Sequence, residues 1–281
     1  MPDYSLRDQV RSTLKQLHTS PQRLLGQNFL CDAGVIKRIA ETHALSKEDR
    51  LLEIGPGLGA LTDALAASGA QITGLELDDD LAAYLQAKFI LNENVSILHA
   101  DALDYDYIGF SADRPYRLYA NVPYYITTPL LKKLLTLGGD WSSMTLMLQK
   151  EAAMRVVSGK GRSNGPLTIL AEYYGECKML FDVPFSCFVP QPKVNSAVID
   201  IGRRKLPPVE GDISDIMRLV EAGFAERRKL LINALSAGMS EPKEFWHQAL
   251  TEGGLPENIR AEQLDLYDFA RLNDWHIKNK Q

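Results

Sequence analysis

The chain has 281 residues, a formal net charge of −5 and 45% hydrophobic residues, which suits a folded protein of one large or two modest domains. This apolar fraction is too high for a disordered chain, and no apolar stretch reaches the roughly 20 residues of a membrane span. Mild acidity argues against a polyanionic partner only weakly, because net charge does not say where the charges lie.

The hydrophobic pattern first predicts two helices, over 5–17 and from about 32 to 43. From residue 51 strands and helices alternate. Strands are predicted at 51–54, 71–77, 95–101, 117–122 and 144–149, with helices at 61–68, 80–89 and 128–135. Alternation at this spacing predicts a parallel sheet with helices on both faces.

The pattern changes after about residue 175. Two runs at 178–183 and 196–202 lie too close together for a helix between them, which predicts an antiparallel pair at the sheet edge. Residues 205–212 have the proline, glycine and charge of a linker. Helical spacing then recurs at 213–223, 228–238, 243–250 and 261–272. We therefore predict an α/β domain over 1–204 and a small all-helical domain over 205–281.

Neither the N-terminus nor the cysteines indicate export or a metal centre. Residues 1–20 lack the apolar core of a signal peptide. The three cysteines, Cys31, Cys177 and Cys187, have no metal-type spacing, and the five histidines are scattered. A few free thiols suit a reducing compartment, so we expect a cytoplasmic protein without a metal site.

A glycine loop and two acids follow the first three strands of the predicted sheet. Gly55 to Gly59 form a strand-to-helix turn in which Pro56 lacks an amide donor, which disfavours a pyrophosphate cradle. Glu76 ends the second strand and Asp101 the third. The loop alone could be a plain turn and each acid a surface residue. Together they describe an adenosine site, with Glu76 accepting from the ribose hydroxyls and Asp101 from the adenine amine. S-adenosylmethionine fits, because its cationic groups tolerate acidic walls.

The sequence Asn121-Val122-Pro123-Tyr124 follows the fourth strand. It has the order of the active-site motif of enzymes that methylate exocyclic amines of bases, although an Asn-x-Pro turn is common in isolation. The Asn121 side-chain oxygen and the Val122 carbonyl can accept the two N6 hydrogens of adenine and aim its lone pair at a methyl group. Pro123 stiffens the loop, and Tyr124 can stack on the base.

Seven motifs now identify a resemblance that spans about residues 23–235. They are LLGQNFL, EIGPGLGALT, GLELD, ADAL, NVPYYITTPLL, FVPQPKVNSAV and FAERRKLLINAL. In this order they closely resemble the ribosomal RNA adenine N6,N6-dimethyltransferases, in particular the bacterial small-subunit (16S) enzymes. The resemblance implies a Rossmann-like class I S-adenosylmethionine-dependent methyltransferase sheet with a helical C-terminal domain. It also implies dimethylation of two adjacent adenines in the 3′-terminal hairpin loop of 16S rRNA, in the immature small (30S) ribosomal subunit, by a monomer with a role in subunit biogenesis.

The resemblance also carries individual site residues onto this sequence. The cofactor pocket it implies is lined by Asn28, Leu30, Gly55, Gly57, Glu76, Leu77, Asp101, Ala102 and Asn121. Phe188 matches the aromatic residue that sandwiches the target adenine against Tyr124, whereas the residues alone favour a core position for it. Val122 departs from the more usual leucine but keeps its carbonyl, and His99-Ala100 stands where glycine is common.

Basic residues are concentrated on either side of an acidic segment, residues 41–113, which contains the predicted cofactor acids Glu76 and Asp101. Residues 41–113 contain 14 acids and 3 Lys or Arg, whereas the rest of the chain contains 22 acids and 28 Lys or Arg. Each basic cluster alone could be a solvated face, but together they predict an RNA surface. The candidate RNA contacts are Arg155, Arg203 and a predicted helical trio, Arg227, Arg228 and Lys229. Further basic residues mark the N-terminus, namely Arg7, Arg11, Lys15 and Arg23.

Three alternatives stay open at this point. The related large-subunit rRNA methyltransferases that confer macrolide resistance are close, although FAERRKLLINAL and TTPLL favour the small-subunit enzymes. DNA adenine methylation is more distant, because that class usually begins this motif with an acid and carries a target-recognition insert. An assembly factor whose binding matters more than its chemistry belongs to another class, and both roles can coexist.

Overall fold

The computed structural model of the chain describes residues 4–22 and 25–280. Arg23 and Leu24, the first residue of the LLGQNFL motif, lie outside the described residues. Two compact units are present. The first runs to Ala153 and includes Lys178–Arg203, and the second comprises Met154–Cys177 and the chain from Arg204 onward. No helix among the described residues is long and apolar enough to span a membrane.

Nine strands occur in the described residues. They are β1 (Phe29–Leu30), β2 (Arg50–Ile54), β3 (Gln71–Glu76), β4 (Val95–His99), β5 (Tyr116–Asn121), β6 (Trp141–Gln149), β7 (Gly175–Val183), β8 (Phe188–Val189) and β9 (Ser196–Arg203). Every strand predicted from the sequence is present, within a few residues of its expected ends.

Twelve α-helices occur in the same residues. They are α1 (Tyr4–Gln16), α2 (Ala33–Ala40), α3 (Ala60–Ala66), α4 (Asp79–Lys88), α5 (Tyr107–Phe110), α6 (Thr127–Leu137), α7 (Lys150–Val157), α8 (Pro166–Tyr174), α9 (Ile213–Phe224), α10 (Leu231–Gly238), α11 (Lys243–Glu252) and α12 (Leu266–Asn279). The hydrophobic pattern did not predict α5, α7 or α8.

Seven of the strands form one sheet with the order β4-β3-β2-β5-β6-β9-β7. The neighbouring pairs from β4 to β6 are parallel, and β9 runs antiparallel to β6 with Ser196 opposite Gln149. β7 and β9 are neighbours at the edge, as the sequence predicts. The strand order reverses between β2 and β5, which is where open α/β sheets bind ligands beyond their carboxyl ends. The predicted Rossmann-like fold class is confirmed.

The first unit buries the middle of its sheet completely. Leu51, Leu52 and Leu118 have no exposed surface, as expected for parallel strands covered on both faces. Two of its helices begin at acidic caps, since Asp32 accepts a hydrogen bond from Val35 N at the start of α2 and Asp78 accepts one from Leu81 N at the start of α4. These caps fix where each helix leaves its strand, and they therefore set the geometry of the sheet's carboxyl edge.

The second unit has a helical core of its own, in which Ile216, Leu219 and Trp246 are fully buried. It differs from the predicted domain over 205–281 because residues 154–177 belong to it as well. Ile169 of α8 is fully buried in this helical core. An apolar helix face must be covered, and for α8 the cover comes from helices that follow much later in the chain.

Two helix boundaries in the second unit correct the predicted ones. The expected helix over 228–238 begins only at Leu231, because Leu230 is extended (φ −63°, ψ 147°) and Leu231 N donates to Ile259 O at 2.8 Å. The expected helix over 261–272 is a short 3₁₀ turn followed by α12, which begins after the cap residue Asp265. In both places local backbone bonding overrides the apolar spacing.

Candidate active site

A cavity at the carboxyl edge of the sheet, within the first unit, gathers most of the predicted site residues. Its lining includes Asn28, Leu30, Gly55, Gly57, Glu76, Leu77, Asp101, Ala102, Asn121, Val122, Pro123 and Tyr124. These residues come from the ends of β2, β3, β4 and β5, and from β1 with the segment before it. The cavity thus brings together residues that are up to 96 positions apart in the chain.

The glycine loop adopts a backbone that other residues rarely take. Gly57 has φ +62°, and a Cβ built on it would approach the Phe29 ring to 3.2 Å. Gly59, the cap of α3, has φ +80°, and its Cβ would approach Leu85 Cδ2 to 2.8 Å. Both positions require glycine. The resulting tight turn leads the chain directly from β2 into α3 beside the cavity.

Glu76 is the buried acid of the cavity, with 6% of its surface exposed. Its Oε2 accepts from Gly57 N at 2.9 Å and its Oε1 from Asp78 N at 3.0 Å. Burial raises the pKa of Glu76, and the two backbone donors counteract that shift. The hydrogen bonds also fix the carboxylate where it can accept from a ligand hydroxyl.

Glu53, the last residue but one of β2, also lines the cavity, and the sequence reasoning did not select it. It is 2% exposed, and Thr62 Oγ1 donates to its Oε2 at 2.7 Å. Burial, aided by repulsion from Glu76 and Asp63, raises its pKa to about 7. Its position near the end of a buried strand, two residues before Gly55, was the available signal.

Asp101 follows β4 and is half-buried. Its Oδ1 accepts from Leu103 N at 2.7 Å, so the carboxylate closes a short turn at the strand end. Ala102 is buried, and its carbonyl accepts from the Tyr107 hydroxyl at 2.8 Å. This bonding holds the turn in place, and the second oxygen of the Asp101 carboxylate accepts no hydrogen bond from the residues that the structure describes.

The segment before β1 is tied to the sheet edge by amide side chains. Gln22 Nε2 and Gln27 Nε2 both donate to Asp78 Oδ2 at 2.8 Å. Asn28 Nδ2 donates to Gly26 O at 2.8 Å, and Asn28 O accepts from Asn121 Nδ2 at 3.1 Å. The predicted pocket residue Asn28 thereby contacts the predicted catalytic residue Asn121.

The loop after β5 presents two acceptors. Because Asn121 Nδ2 donates to Asn28 O, its Oδ1 is left as an acceptor. The Val122 amide donates to Met147 O at 3.1 Å, while its own carbonyl accepts no hydrogen bond within the described residues. Pro123 (φ −57°, ψ 135°) then turns the chain, and its carbonyl accepts from Ile126 N at 3.2 Å.

The two predicted aromatic partners lie in different surroundings. Tyr124 lines the cavity, and its hydroxyl is 3.2 Å from Ser196 Oγ. Phe188 is 1% exposed and packs in the core with residues such as Leu30 and Val198. Among the described residues that line the cavity, Phe188 is absent. The structure thus places it as the residues alone suggest, because its β8 pairing with Leu30 turns the ring into the core.

The candidate RNA residues are scattered, and several bond to their own neighbours. Arg203, at the end of β9, donates to the Gly139 and Trp141 carbonyls. Arg227 donates to the carbonyls of Arg162 and Asn164. Lys229 pairs with Glu226 at 2.7 Å. The predicted helix for residues 227–229 is wrong, since they lie in a turn between α9 and α10. Arg155 and Arg228 are exposed, on α7 and in that turn.

The strand order and the cavity define a class I methyltransferase. A family model described as ribosomal RNA adenine dimethylase matches residues 19–278. The ribosomal RNA small subunit methyltransferase A of Ligilactobacillus salivarius is 36% identical over 288 residues, covering 99% of this chain and 97% of that protein. The corresponding protein of Streptococcus gordonii is 38% identical over 282 residues, covering 97% and 96%. The chain belongs to the ribosomal RNA adenine dimethylase family.

Two solved structures resemble the fold over most of its length. The 23S rRNA methyltransferase ErmE superposes with a TM-score of 0.70 at 28% identity, covering 88% of this chain and 99% of that one. A dimethyladenosine transferase from Plasmodium falciparum superposes with a TM-score of 0.76 at 22% identity, covering 89% and 98%. At that identity the second likeness concerns the fold alone.

Proposed function

We propose that this chain transfers methyl groups from S-adenosylmethionine to N6 of two adjacent adenines in the 3′-terminal hairpin loop of 16S rRNA. The observation that carries the proposal is the convergence of Glu76, Asp101 and Asn121 on one cavity. The substrate assignment is supported by relatives that cover almost the whole chain and are named small-subunit methyltransferases. The particle acted on would be the immature 30S subunit, and the protein would act as a monomer.

The chemistry of the cavity fits S-adenosylmethionine. Three acids line it, Glu53, Glu76 and Asp101, and no Lys, Arg or His occurs among its described lining residues. Such a wall favours a cationic ligand and disfavours a phosphate. Glu76 would accept from the ribose hydroxyls and Asp101 from the adenine amine. Gly55, Gly57, Leu77, Ala102, Asn28 and Leu30 would form the remaining walls.

S-adenosylmethionine supplies an electrophilic methyl carbon on a sulfonium sulfur, which is a good leaving group. The chain's own task is to orient the weak N6 nucleophile of adenine. Asn121 Oδ1 and the Val122 carbonyl would accept the two N6 hydrogens, which directs the nitrogen lone pair toward the cofactor. Tyr124, held by Ser196, would stack on the base. Proximity and orientation would supply most of the rate.

An adenine inside a duplex could not reach Asn121, so the substrate must present the base unstacked. A hairpin loop meets this requirement. The Phe188 ring is buried, so its contribution to gripping the base depends on a movement that exposes it. If the ring does stack on the adenine, Phe188→Leu should lower methylation of the small subunit, and wild-type activity in this variant would remove Phe188 from the site.

Primer extension on rRNA from a deletion strain tests the substrate assignment. Dimethylated adenines block reverse transcription, so we expect two adjacent stops near the 3′ end of 16S rRNA that vanish in the deletion strain. A plasmid with the wild-type gene should restore them, and one with Asn121→Ala should not. Loss of a stop in 23S rRNA instead would assign the chain to the large-subunit class. Slow subunit maturation without any lost stop would favour an assembly role without chemistry.

A further inference from the structure

A second pocket lies entirely within the first unit, near Tyr124, the residue proposed to stack on the target adenine. Six of its lining residues are Gln149, Lys150, Phe185, Lys193, Val194 and Asn195. None of them lines the cofactor cavity. Its position follows from the antiparallel pairing of β6 and β9, which brings the end of one strand and the start of the other to the same sheet edge.

The pocket adjoins Tyr124 through one short chain of contacts. Gln149 is the register partner of Ser196, and Lys150 N donates to Asn195 O at 3.0 Å. Ser196 Oγ in turn lies 3.2 Å from the Tyr124 hydroxyl. A nucleotide in this pocket would therefore be a near neighbour, along the RNA strand, of a base stacked on Tyr124.

Two apolar side chains of the pocket are exposed to solvent. Phe185 and Val194 are 45% and 46% exposed. The backbone at Phe185 is nonetheless anchored, since its amide donates to Asn195 Oδ1 at 3.0 Å. Three residues later the same segment buries Phe188 almost completely. An anchored, exposed aromatic ring is a stacking platform for any base.

The polar groups around the ring suit a nucleotide. Lys193 forms no hydrogen bond or ion pair in the part of the chain that the structure describes, so its ammonium is available to a phosphate. Lys150 pairs with Asp182, and Glu151 is the acid in the lining. The amides of Gln149 and Asn195 can donate to and accept from the edges of an unpaired base.

We propose that this pocket binds the base and phosphate of a nucleotide flanking the target adenine, with the base stacked on Phe185. The assignment rests on the proposed function, because it needs a single-stranded RNA at Tyr124. It adds a second point of grip, which would hold the loop open while one adenine enters the cavity. The pocket would act in RNA binding, not in methyl transfer itself.

Steady-state methylation of unmethylated small subunits tests the pocket. Phe185→Ala should raise KM for the subunit about 10-fold and change kcat by less than about two-fold. Phe185→Trp should keep a wild-type KM, since the ring is retained. Tyr267→Ala is the matched control, because Tyr267 is 47% exposed on α12 and outside the pocket, and it should behave as wild type.

An RNA hairpin series locates the contacted base. Each loop nucleotide is made abasic in turn, and the dissociation constant of each hairpin is measured by fluorescence anisotropy. Wild type should lose about 10-fold in affinity at one position flanking the adenines, whereas Phe185→Ala should lose almost nothing further there. An unchanged KM for Phe185→Ala, or an equal loss at that position in both proteins, would overturn the pocket. Absence of methylation by wild type would instead overturn the proposed function.

Discussion

The acidic residues of the proposed cofactor cavity lie close together, whereas the candidate RNA-binding residues of this chain are scattered. At the sheet edge, Glu53, Glu76 and Asp101 converge on one cavity from three consecutive strands. Two of the four candidate arginines, Arg203 and Arg227, bond instead to nearby carbonyls. Convergent charge at strand ends is placed by the fold and points to a ligand. A scattered basic side chain indicates a nucleic-acid surface only when it has no hydrogen-bond partner nearby in the protein.

The largest effect expected from the cavity follows from removing the acceptor at Asn121. Asn121→Ala should lower methylation about 100- to 1,000-fold, the usual loss when one group that orients the reacting atoms is removed. The cofactor dissociation constant should change by less than about two-fold. Single-turnover assays and isothermal titration calorimetry measure the two quantities. Asn121→Asp keeps an acceptor oxygen and should retain more activity than the alanine variant; wild-type rates in the alanine variant would refute the role.

Glu76→Gln should chiefly weaken cofactor binding. The buried carboxylate offers charge-assisted hydrogen bonds, so its loss should raise the cofactor dissociation constant about 10- to 100-fold. The rate at saturating cofactor should fall only a few-fold. Asp80→Asn, a change to an exposed acid on the neighbouring helix α4, is the control and should bind like wild type. Equal affinities for the two variants would remove Glu76 from the site.

The pKa of Glu53, raised to about 7, predicts two opposite pH effects. A raised carboxyl pKa stabilises the fold at pH below 4.5, and this contribution is lost as pH rises through 7. Glu53→Gln should therefore melt at a higher temperature than wild type at pH 8. Affinity for the cationic cofactor should instead rise by up to about tenfold between pH 6 and 8, as the carboxylate forms. Titration calorimetry should show that the cofactor affinity of Glu53→Gln stays constant between pH 6 and 8. A constant affinity for wild type over the same range would contradict the pKa of about 7 for Glu53.

The smallest effects separate two adjacent arginines. Arg228 is exposed and forms no hydrogen bond or ion pair within the described residues, so Arg228→Ala should weaken RNA binding a few-fold and reduce the salt dependence by about one phosphate contact. Arg227 donates to two carbonyls, so Arg227→Ala should lower the free energy of unfolding by about 1–2 kcal/mol. Salt titrations and denaturant melts distinguish the two. Weaker RNA binding by Arg227→Ala and lower stability of Arg228→Ala would contradict the use of local hydrogen bonds to identify RNA contacts.

Strand ends were predictable because their chemistry is local. Gly57, Glu76, Asp101 and Asn121 each follow a strongly apolar run, and parallel strands bring such positions to one edge. All four line the cavity. Most of the helices were predictable from the apolar spacing of neighbouring residues, and the edge pairing of β7 with β9 was predictable from the short separation of the two runs.

The features that sequence reasoning missed depend on distant partners. α8 is covered by helices that begin 39 or more residues after its end, so nothing local assigns it to the second unit. The turn before α10 is set by a bond between Leu231 N and Ile259 O. Glu53 resembles a core strand residue until its neighbours are placed. The backbone of Phe185 is held by Asn195, ten residues further along the chain, whereas Phe188 pairs with Leu30 of β1.

The most direct measurement of the central claim is incubation of the protein with methyl-labelled S-adenosylmethionine and unmethylated small subunits, followed by nucleoside analysis. The cavity, its acids and the Asn121 loop predict label in N6,N6-dimethyladenosine, up to four methyl groups per particle, and none when Asn121→Ala is used. Label that appears only in other nucleosides, or only with large-subunit RNA, would contradict the account.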